Sequence, residues 1–261
     1  MKVIDLIVKD SVAVSTSAVR LVLAASDASA FPPVRPGQFV EVRIDETPAV
    51  LLRRPISIHD VMFPSALVLL VQRVGPGTAW LCSRKAGDVV NVVMPLGNCF
   101  SLPPAVVPSS PFRPLLIGGG VGVAPLLLLG KELTRMGAEP TFLLGARTEK
   151  DLLCLERFEQ AARTLVSTEN GGAGEKGLVT RHSVLTREHF DFIYTCGPLP
   201  MMKAVARVAR DMGIPCEVSL ENRMACGLGA CLCCVEDTVD GHVCVCKEGP
   251  VFRTERLKWN I

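Results

Sequence analysis

Short apolar runs alternate with turn residues along the first hundred positions of the chain. The runs RLVLAA, QFVEVRI, ALVLLVQRV and VVNVVMPL are separated by Pro, Gly, Asp and Asn. Short alternating segments at this spacing predict strands that form a β-sandwich or close into a β-barrel. The stretch at residues 103–112 is proline-rich and uncharged, and it predicts a linker after the β structure.

The pattern then changes to short buried strands followed by helix-like segments. Strands are predicted at Leu115–Ile117, Thr141–Leu144 and Phe192–Thr195, and the helix-like segments APLLLLGKELTRMG, LCLERFEQAAR and MMKAVARVARDMG lie between or after them. Strands that alternate with helices predict a parallel sheet with both faces covered. The glycine-rich segment Gly171–Gly177 predicts a loop, and the cysteine-rich tail from Cys216 predicts a small third unit.

We therefore predict a multidomain β + α/β chain. An antiparallel β-barrel is expected at residues 1–102, a parallel-sheet α/β domain at 113–214 and a small C-terminal module at 215–261.

With 49% hydrophobic and 21% charged residues, the 261-residue chain can bury a sizeable core. The formal net charge of +2 gives no reason to expect a nucleic-acid partner. The first residues lack an uninterrupted apolar run, and the longest apolar stretches are too short to span a bilayer, so we expect a cytoplasmic protein without signal peptide or membrane span.

The cysteines are concentrated near the C-terminus. Six of the eleven lie between positions 226 and 246, whereas a disulfide framework would be spread over a small secreted domain. Cys226, Cys231, Cys234 and Cys246 form the pattern C-x4-C-x2-C followed by a distant fourth cysteine. This is the plant-type [2Fe–2S] spacing. Small residues between the first two cysteines allow backbone N–H groups to approach the cluster, which raises its reduction potential.

Two alternatives remain open at this stage. A structural zinc site with four cysteine ligands usually shows two tight C-x2-C pairs, whereas this segment has one such pair among the four proposed ligands. The identity of the ligands is a separate question, because Cys233 neighbours Cys234 and Cys244 lies two positions before Cys246. Either of them is an alternative ligand or a packing residue.

Two segments of the β region have the residues of a phosphate site. Arg53-Arg54-Pro55-Ile56-Ser57 follows one strand, and an arginine fork grips a pyrophosphate in bidentate fashion. Gly75-Pro76-Gly77-Thr78 precedes the helix-like AWLCSRK, so that the N–H groups of Gly77 and Thr78 are expected at a helix N-terminus. Taken alone, the first segment is also typical of a solvated surface pair, and the second of an ordinary turn with an N-cap threonine.

The α/β region offers a second candidate binding edge. Gly118-Gly119-Gly120-Val121-Gly122 follows a strand and precedes a helix, which is typical of a turn that cradles phosphate, although it is not a clean G-x-G-x-x-G. Thr195-Cys196-Gly197-Pro198 ends another parallel strand, at the edge where α/β sheets bind ligands. Cys196 is there either a small core residue or a side chain beside the reacting ring.

These motifs, in this order, resemble the ferredoxin–NADP reductase-like flavoprotein superfamily. The resemblance rests on PGQF, RRPIS, GxGT, PLGN, GGGVGVAPL and TCGP. The continuation ENRMACGLGAC, ending in CKEGPVF, resembles one branch of it, the electron-transfer subunits of dihydroorotate dehydrogenase B. The resemblance covers essentially the whole chain and implies a barrel that binds FAD, an α/β domain that binds NAD and a C-terminal [2Fe–2S] module.

The resemblance also assigns residues. It implies FAD contacts at Arg54, Pro55, Ile56, Ser57, Val71, Gln72, Arg73, Gly77 and Thr78, and it agrees with the spacing in making Cys226, Cys231, Cys234 and Cys246 the cluster ligands. We add Gly118, Gly119, Gly120, Gly122, Cys196, Gly197 and Pro198 as candidate nicotinamide-cofactor contacts, and we expect no catalytic acid or base in this chain. Arg147, after the second strand of the α/β region, is a candidate contact for a 2′-phosphate or a solvated loop residue, so the residues leave NADH and NADPH open. The family implies NAD.

The function implied is an electron relay in pyrimidine biosynthesis. Electrons from a catalytic FMN subunit of dihydroorotate dehydrogenase would cross the cluster and the FAD to NAD⁺, in a heterotetramer of two copies of each subunit. An alternative function with the same cofactors is a reductase subunit of a sulfide dehydrogenase, hydrogenase or bifurcating transhydrogenase complex. A zinc-stabilised interaction protein is the alternative from another class.

Overall fold

A computed structural model describes residues 1–27, 31–47, 50–62, 65–103 and 111–261. The chain divides into two compact units, and the C-terminal segment contributes to both. The first unit comprises Met1–Cys99, Glu221–Asp237 and Gly241–Pro250, and the second comprises Phe100–Leu220, Thr238–Asp240 and Val251–Ile261. Among the described residues, no helix has the length and apolar character needed to cross a membrane.

The first unit is built on a closed antiparallel barrel. Its elements are β1 (Lys2–Ala13), β2 (Ala18–Ala25), β3 (Phe39–Val42), β4 (Arg54–Met62), β5 (Ala66–Gln72), helix α1 (Pro76–Cys82) and β6 (Val89–Leu96). The strands follow the order β1-β2-β5-β4-β3-β6, and closure of the barrel pairs each of these six strands on both sides. The pairing register shifts in three places, and such bulges bend the strands as closure requires.

Leucines that pair across β2 and β5 contribute to the barrel core. Leu21 and Leu23 of β2 and Leu67 and Leu69 of β5 are fully buried, two positions apart on each strand. Successive side chains of a strand point to opposite faces, so these residues share the inner face. The strand β1 was not singled out by its pattern, because charged residues interrupt it, although Leu6 lies in the core.

The second unit contains a seven-stranded sheet. Its elements are β7 (Pro114–Gly119), α2 (Leu126–Arg135), β8 (Thr141–Ala146), α3 (Leu155–Ala161), β9 (Arg163–Thr168), β10 (Glu175–Lys176), α4 (Val184–Arg187), β11 (Phe192–Cys196), α5 (Leu199–Asp211), β12 (Cys216–Ser219) and β15 (Val251–Arg253). The strand order is β10-β9-β8-β7-β11-β12-β15, and all neighbours pair in parallel except β12 and β15, which are antiparallel. The fold class predicted from the sequence, a β-barrel followed by a parallel-sheet α/β domain, is confirmed.

Most of the cysteine-rich segment packs within the first unit. It contains the loop Glu221–Cys234, the hairpin of β13 (Val235–Thr238) and β14 (Gly241–Cys244), and the short helix α6 (Val245–Glu248).

The structure differs from the sequence-based expectation at several boundaries. The predicted C-terminal module began at residue 215, but β12 and β15 both belong to the sheet of the second unit, because Val218 pairs with Phe252 there. The helix predicted from LCLERFEQAAR is shorter, since α3 ends at Ala161 and β9 starts at Arg163. The strand β10 lies within the predicted loop. Most of the predicted linker at 103–112 lies outside the described residues.

Candidate functional site

The loop that carries the first three predicted cluster ligands bends its backbone towards sulfur. Gly227 and Gly229 adopt positive φ values of 67° and 81°, a conformation that glycine reaches without strain. The N–H of Leu228 donates to Sγ of Cys226 at 3.3 Å, and the N–H of Gly229 donates to Sγ of Cys246 at 3.1 Å. The backbone of this loop therefore directs N–H donors at the thiols of two predicted ligands.

The remaining ligands join the same network. The N–H of Cys246 donates to Sγ of Cys234 at 3.4 Å, and both residues are buried. Cys231 is exposed, and hydrogen bonds link it to Cys226. Thiolate sulfur surrounded by backbone N–H donors is the environment in which iron–sulfur clusters are held. These four residues therefore fit the predicted cluster.

The electrostatics of two thiols differ. Backbone hydrogen bonds, first from Leu228 and then from Cys231, lower the pKa of Cys226 to about 6, which favours the thiolate. Burial raises the pKa of Cys246 to about 12, so its thiolate depends on a bound cation. Loss of the thiol proton at this buried position would accompany metal binding.

The two competing cysteines lie in different surroundings. Cys233 is exposed. Cys244 is half-buried, and its thiol approaches the carbonyl of Gly229 at 3.9 Å. Within the part of the chain that the structure describes, no group of three or more His, Cys, Asp or Glu side chains is close enough to hold a single metal ion. A binuclear cluster distributes its four ligands over two irons instead.

On the barrel, the predicted phosphate residues come together. A Cβ atom at Gly77 would lie 2.7 Å from Nε of Arg54, so the guanidinium lies directly against the first turn of α1. Nη1 of Arg54 also donates to the carbonyl oxygens of Leu52 and Arg53, at 2.8 and 3.1 Å. A guanidinium and helix N–H groups at one place form a cradle that suits a pyrophosphate.

The hydroxyl group of Thr78 forms hydrogen bonds with the turn that precedes α1. Its Oγ1 accepts from the N–H groups of Val74 and Gly75, at 2.9 and 3.1 Å, and donates to the carbonyl of Gly75. Its backbone N–H lies in the first turn of α1. The sequence alternative of an N-cap threonine is wrong, because Gly75 is the N-cap of α1 and Thr78 is the third residue of the helix.

The two adjacent arginines have different environments. Nη2 of Arg53 donates to Oδ1 of Asn91 at 2.7 Å, and Nη1 donates to the carbonyl oxygens of Glu41 and Asn91. Arg53 therefore ties β3 and β6 together, which the sequence did not reveal. Arg54 is left as the member of the pair next to α1.

The other predicted flavin contacts lie on β4 and β5. Pro55, Ile56 and Ser57 are half-buried and pair with β3. Val71 is 1% exposed, so it belongs to the core and offers almost no surface. Gln72 is half-buried and Arg73 is exposed at the end of β5.

In the second unit, the two segments that were predicted to bind the nicotinamide cofactor lie next to each other. Cys196 at the end of β11 pairs with Gly118 of β7, and a Cβ at Gly122 would lie 2.4 Å from Cα of Gly197. A Cβ at Gly119 would lie 2.4 Å from Sδ of Met201. The two loops touch through their backbones at the carboxyl ends of adjacent parallel strands, which is where open α/β sheets bind ligands.

One buried hydroxyl group at this edge of the sheet is without a hydrogen bond to the described residues. Oγ1 of Thr195, which precedes Cys196, is buried and has no hydrogen-bond partner among the described residues. Gly120 has a φ of 56° and open space beside it. The glycines lead through a 3₁₀ turn, residues 120–123, and α2 begins at Leu126. Pro198 directly precedes α5.

Comparison with known proteins identifies two family models. The oxidoreductase NAD-binding domain matches residues 116–207, and the iron–sulfur cluster binding domain of dihydroorotate dehydrogenase B matches residues 221–258. The class of protein is thus an NAD-linked oxidoreductase with an iron–sulfur module.

Curated relatives extend the match to the barrel. The electron transfer subunit of dihydroorotate dehydrogenase B (NAD⁺) from Desulforamulus reducens is 43% identical, over 86% of this chain and 87% of the relative. The probable counterpart from Methanocaldococcus jannaschii is 39% identical, over 86% of this chain and 81% of the relative. The chain belongs to the family of dihydroorotate dehydrogenase B electron transfer subunits.

Solved structures agree with this fold. A structure from the NADH-dependent reduced ferredoxin–NADP oxidoreductase, described in connection with flavin-based electron bifurcation, has a TM-score of 0.85 and 33% identity, over 98% of this chain and 90% of the other. The ferredoxin reductase of carbazole 1,9a-dioxygenase has a TM-score of 0.66 and 21% identity, over 82% and 67%, and supports the fold alone. The predicted family, the electron-transfer oxidoreductase function and the cofactors FAD, [2Fe–2S] and NAD are confirmed.

Proposed function

We propose that this chain works in a heterotetramer with two FMN-containing catalytic subunits of a dihydroorotate dehydrogenase, in the cytoplasm, and delivers the electrons of dihydroorotate to NAD⁺. The observation that supports this most strongly is the match of residues 221–258 to the dihydroorotate dehydrogenase B cluster domain, on a loop whose N–H groups point at sulfur. Supply of electrons by a separate catalytic subunit is consistent with the name of the relatives.

Each group of residues has a proposed task. Cys226, Cys231, Cys234 and Cys246 hold the irons. On the barrel, Arg54, Gly77 and Thr78 bind the FAD pyrophosphate, while Pro55, Ile56, Ser57, Val71, Gln72 and Arg73 line the flavin. In the second unit, Gly118, Gly119, Gly120, Gly122, Cys196, Gly197 and Pro198 bind NAD.

The chemistry itself belongs to the bound groups. When bound, FAD would supply the exchange of two electrons with NAD(H) as a hydride and of single electrons with the [2Fe–2S] cluster. The residues bind and orient these groups, and we assign no general acid or base. The backbone contact between Gly122 and Gly197 keeps side chains away from the cofactor edge, and Arg54 offsets the charge of the pyrophosphate.

The test is co-purification of the full chain with the candidate catalytic subunit, followed by an assay of dihydroorotate-dependent NAD⁺ reduction. We expect activity from the complex and none from either chain alone, and light scattering should give two copies of each. Oxidation of dihydroorotate by the isolated chain would contradict the division of labour.

A second function is tested in the same assay series, because the NADH-dependent reduced ferredoxin–NADP oxidoreductase structure resembles 98% of this chain. The full chain would then take part, with a different partner, in the transfer of electrons from NADH and reduced ferredoxin to NADP⁺. A complex that is inactive with dihydroorotate but forms NADPH from NADP⁺, NADH and reduced ferredoxin would favour this second function.

Ligand assignments are tested by single substitutions to serine. Replacement of Cys226, Cys231, Cys234 or Cys246 should remove iron and visible absorption. Replacement of Cys233 or Cys244 should leave both in place. Loss of the cluster in Cys244→Ser but not in Cys246→Ser would reassign that ligand.

A further inference from the structure

Glu41 is a buried acid on the outside of the barrel. Its neighbours on β3, Val40 and Val42, are fully buried in the barrel core. Because side chains alternate along a strand, Glu41 points away from that core, where an acid would ordinarily meet water. It is nevertheless only 1% exposed.

The segment that covers Glu41 is the cluster loop. A Cβ at Gly227 would lie 2.7 Å from Cγ of Glu41 and 3.1 Å from its Oε1. Both residues belong to the first unit. Gly227 directly follows the proposed ligand Cys226. The carboxyl group of Glu41 is therefore packed under the turn that carries the first cluster ligand.

The carboxyl group of Glu41 is buried without a hydrogen bond. Among the described residues, neither Oε1 nor Oε2 of Glu41 has a hydrogen-bond partner. The guanidinium of Arg53 donates to the carbonyl of Glu41 and to Asn91 instead. Burial raises the pKa of Glu41 to about 7, the charge of Arg53 opposes this, and the charge of Cys226 adds to it.

A structural role alone does not account for an acid at this position. Burial of a carboxyl group without donors costs free energy, whereas methionine or leucine would fill the same space at no such cost. A negative charge close to an iron–sulfur cluster does have a functional consequence, because net charge near the cluster helps to set its reduction potential. The interaction is strong where water is excluded.

We propose that Glu41 is a positioning residue of the cluster loop and that its carboxylate lowers the reduction potential of the [2Fe–2S] cluster. The inference rests on the proposed ligand set, since it needs a cluster on the loop that Glu41 supports. The N–H donors around the thiols stabilise the reduced state, and Glu41 acts in the opposite direction. The balance between them would set how readily the cluster accepts an electron.

The experiment is a redox titration of the full chain at one alkaline pH. The electron paramagnetic resonance signal of the reduced cluster monitors the titration. Glu41→Gln removes the charge but introduces an amide donor, and Glu41→Met removes the charge without a donor. We expect the equilibrium constant for reduction to rise about tenfold in both, which is about 59 mV for a one-electron couple. Asp45→Asn is the matched control, because Asp45 follows the same strand but its side chain is 40% exposed.

Each outcome decides the proposal. A rise in both variants, with Asp45→Asn unchanged, supports it. An unchanged or lowered potential in Glu41→Met overturns it, and a rise in Glu41→Gln alone would assign the effect to the new amide. If neither variant retains iron, Glu41→Asp is titrated, and the retreat of the charge by one methylene should give a smaller rise. An unchanged or lower potential there overturns the proposal.

The iron content of the wild-type protein distinguishes a failure of the inference about Glu41 from a failure of the proposed ligand set. Wild-type protein without iron or visible absorption would contradict the ligand set and the proposed function. Wild-type protein with a normal cluster, whose potential does not respond to Glu41, would contradict only the inference about Glu41.

Discussion

Gly122 and Gly197 meet backbone to backbone, so closely that a Cβ on Gly122 would lie 2.4 Å from Cα of Gly197 and 2.6 Å from the carbonyl oxygen of Cys196. The two glycines are 75 positions apart and follow neighbouring parallel strands. Their contact brings the glycine-rich turn and the Cys196 loop to one place. Each of the two motifs is a weak signal by itself. Their contact explains how together they form one edge of the parallel sheet.

Gly122→Ala should disrupt this edge. The new methyl group meets backbone atoms that cannot rotate away, so the substitution should cost about 1–3 kcal/mol of folding free energy and weaken NADH binding about tenfold or more. Denaturant unfolding and fluorescence titration with NADH would measure both effects.

Gly213→Ala is the control for that experiment. Gly213 lies in the same unit but outside the proposed NAD contacts, has open space beside it and carries only the penalty of its positive φ of 68°. We expect it to cost stability by about 1–2 kcal/mol. Equal losses of NADH affinity in both variants would show that lost stability, and not the contact with Gly197, controls binding.

Gly227→Ala and Gly229→Ala separate strain from contact in the cluster loop. Both glycines have positive φ, but a Cβ at Gly227 meets Glu41, whereas a Cβ at Gly229 meets the flexible side chain of Lys247 at 3.1 Å. We expect the greater loss of iron and thermal stability in Gly227→Ala. Glu41→Ala, combined with Gly227→Ala, should remove the difference, because it removes the crowded atoms. A difference that persists in the double variant would rule out crowding by Glu41.

The cofactor chemistry was readable in the sequence because it is local. The cluster cysteines lie within 21 positions, and small residues between them suffice to predict backbone donors aimed at sulfur. The role of Glu41 was not readable. In QFVEVRI it has the pattern of an outward, solvated residue, and only the return of the chain about 185 positions later covers it.

Long-range pairing also explains the errors at boundaries. Cys216–Ser219 and Val251–Arg253 are too short to be recognised as strands, and they become strands because each pairs with a neighbour at the edge of the sheet. Arg53 and Arg54 are indistinguishable in the sequence for a similar reason. Only the position of Asn91 on β6 decides which of the two is committed to the barrel.

A buried histidine should make the second unit sensitive to acid. Burial lowers the pKa of His182 below its ordinary value of 6.5, while Glu175 opposes this and Arg163 and Arg187 contribute to it. Nδ1 of His182 accepts a hydrogen bond from the N–H of Val184 at 3.1 Å, which requires an unprotonated nitrogen. The unfolded chain therefore binds a proton more readily, and stability present above pH 6.5 should decline as the pH falls towards the folded-state pKa.

His182→Asn tests this, because an amide oxygen can accept from Val184 without titrating. We expect the variant to lose less stability than wild-type protein between neutral pH and about pH 5. His189→Asn, at a side chain that is 81% exposed, should leave the pH dependence unchanged. A pH dependence that is the same in His182→Asn and wild-type protein would exclude His182 as its source.

Arg53→Ala and Arg54→Ala should separate barrel stability from flavin binding, although the residues are adjacent. Arg53 makes three hydrogen bonds that tie β3 and β6, so its loss should cost about 1.5–3 kcal/mol of folding free energy. Within the described part of the chain, Arg54 donates to the nearby carbonyl groups of Leu52 and Arg53 and lies against Gly77, so its loss should leave the apoprotein stable but lower the flavin content. Unfolding of the apoprotein and the ratio of flavin to protein after FAD titration give the two measurements. Arg54→Lys keeps the charge but not the bidentate fork, and it should bind FAD more weakly than wild-type protein and more tightly than Arg54→Ala. Full flavin content in Arg54→Ala would remove Arg54 from the pyrophosphate site.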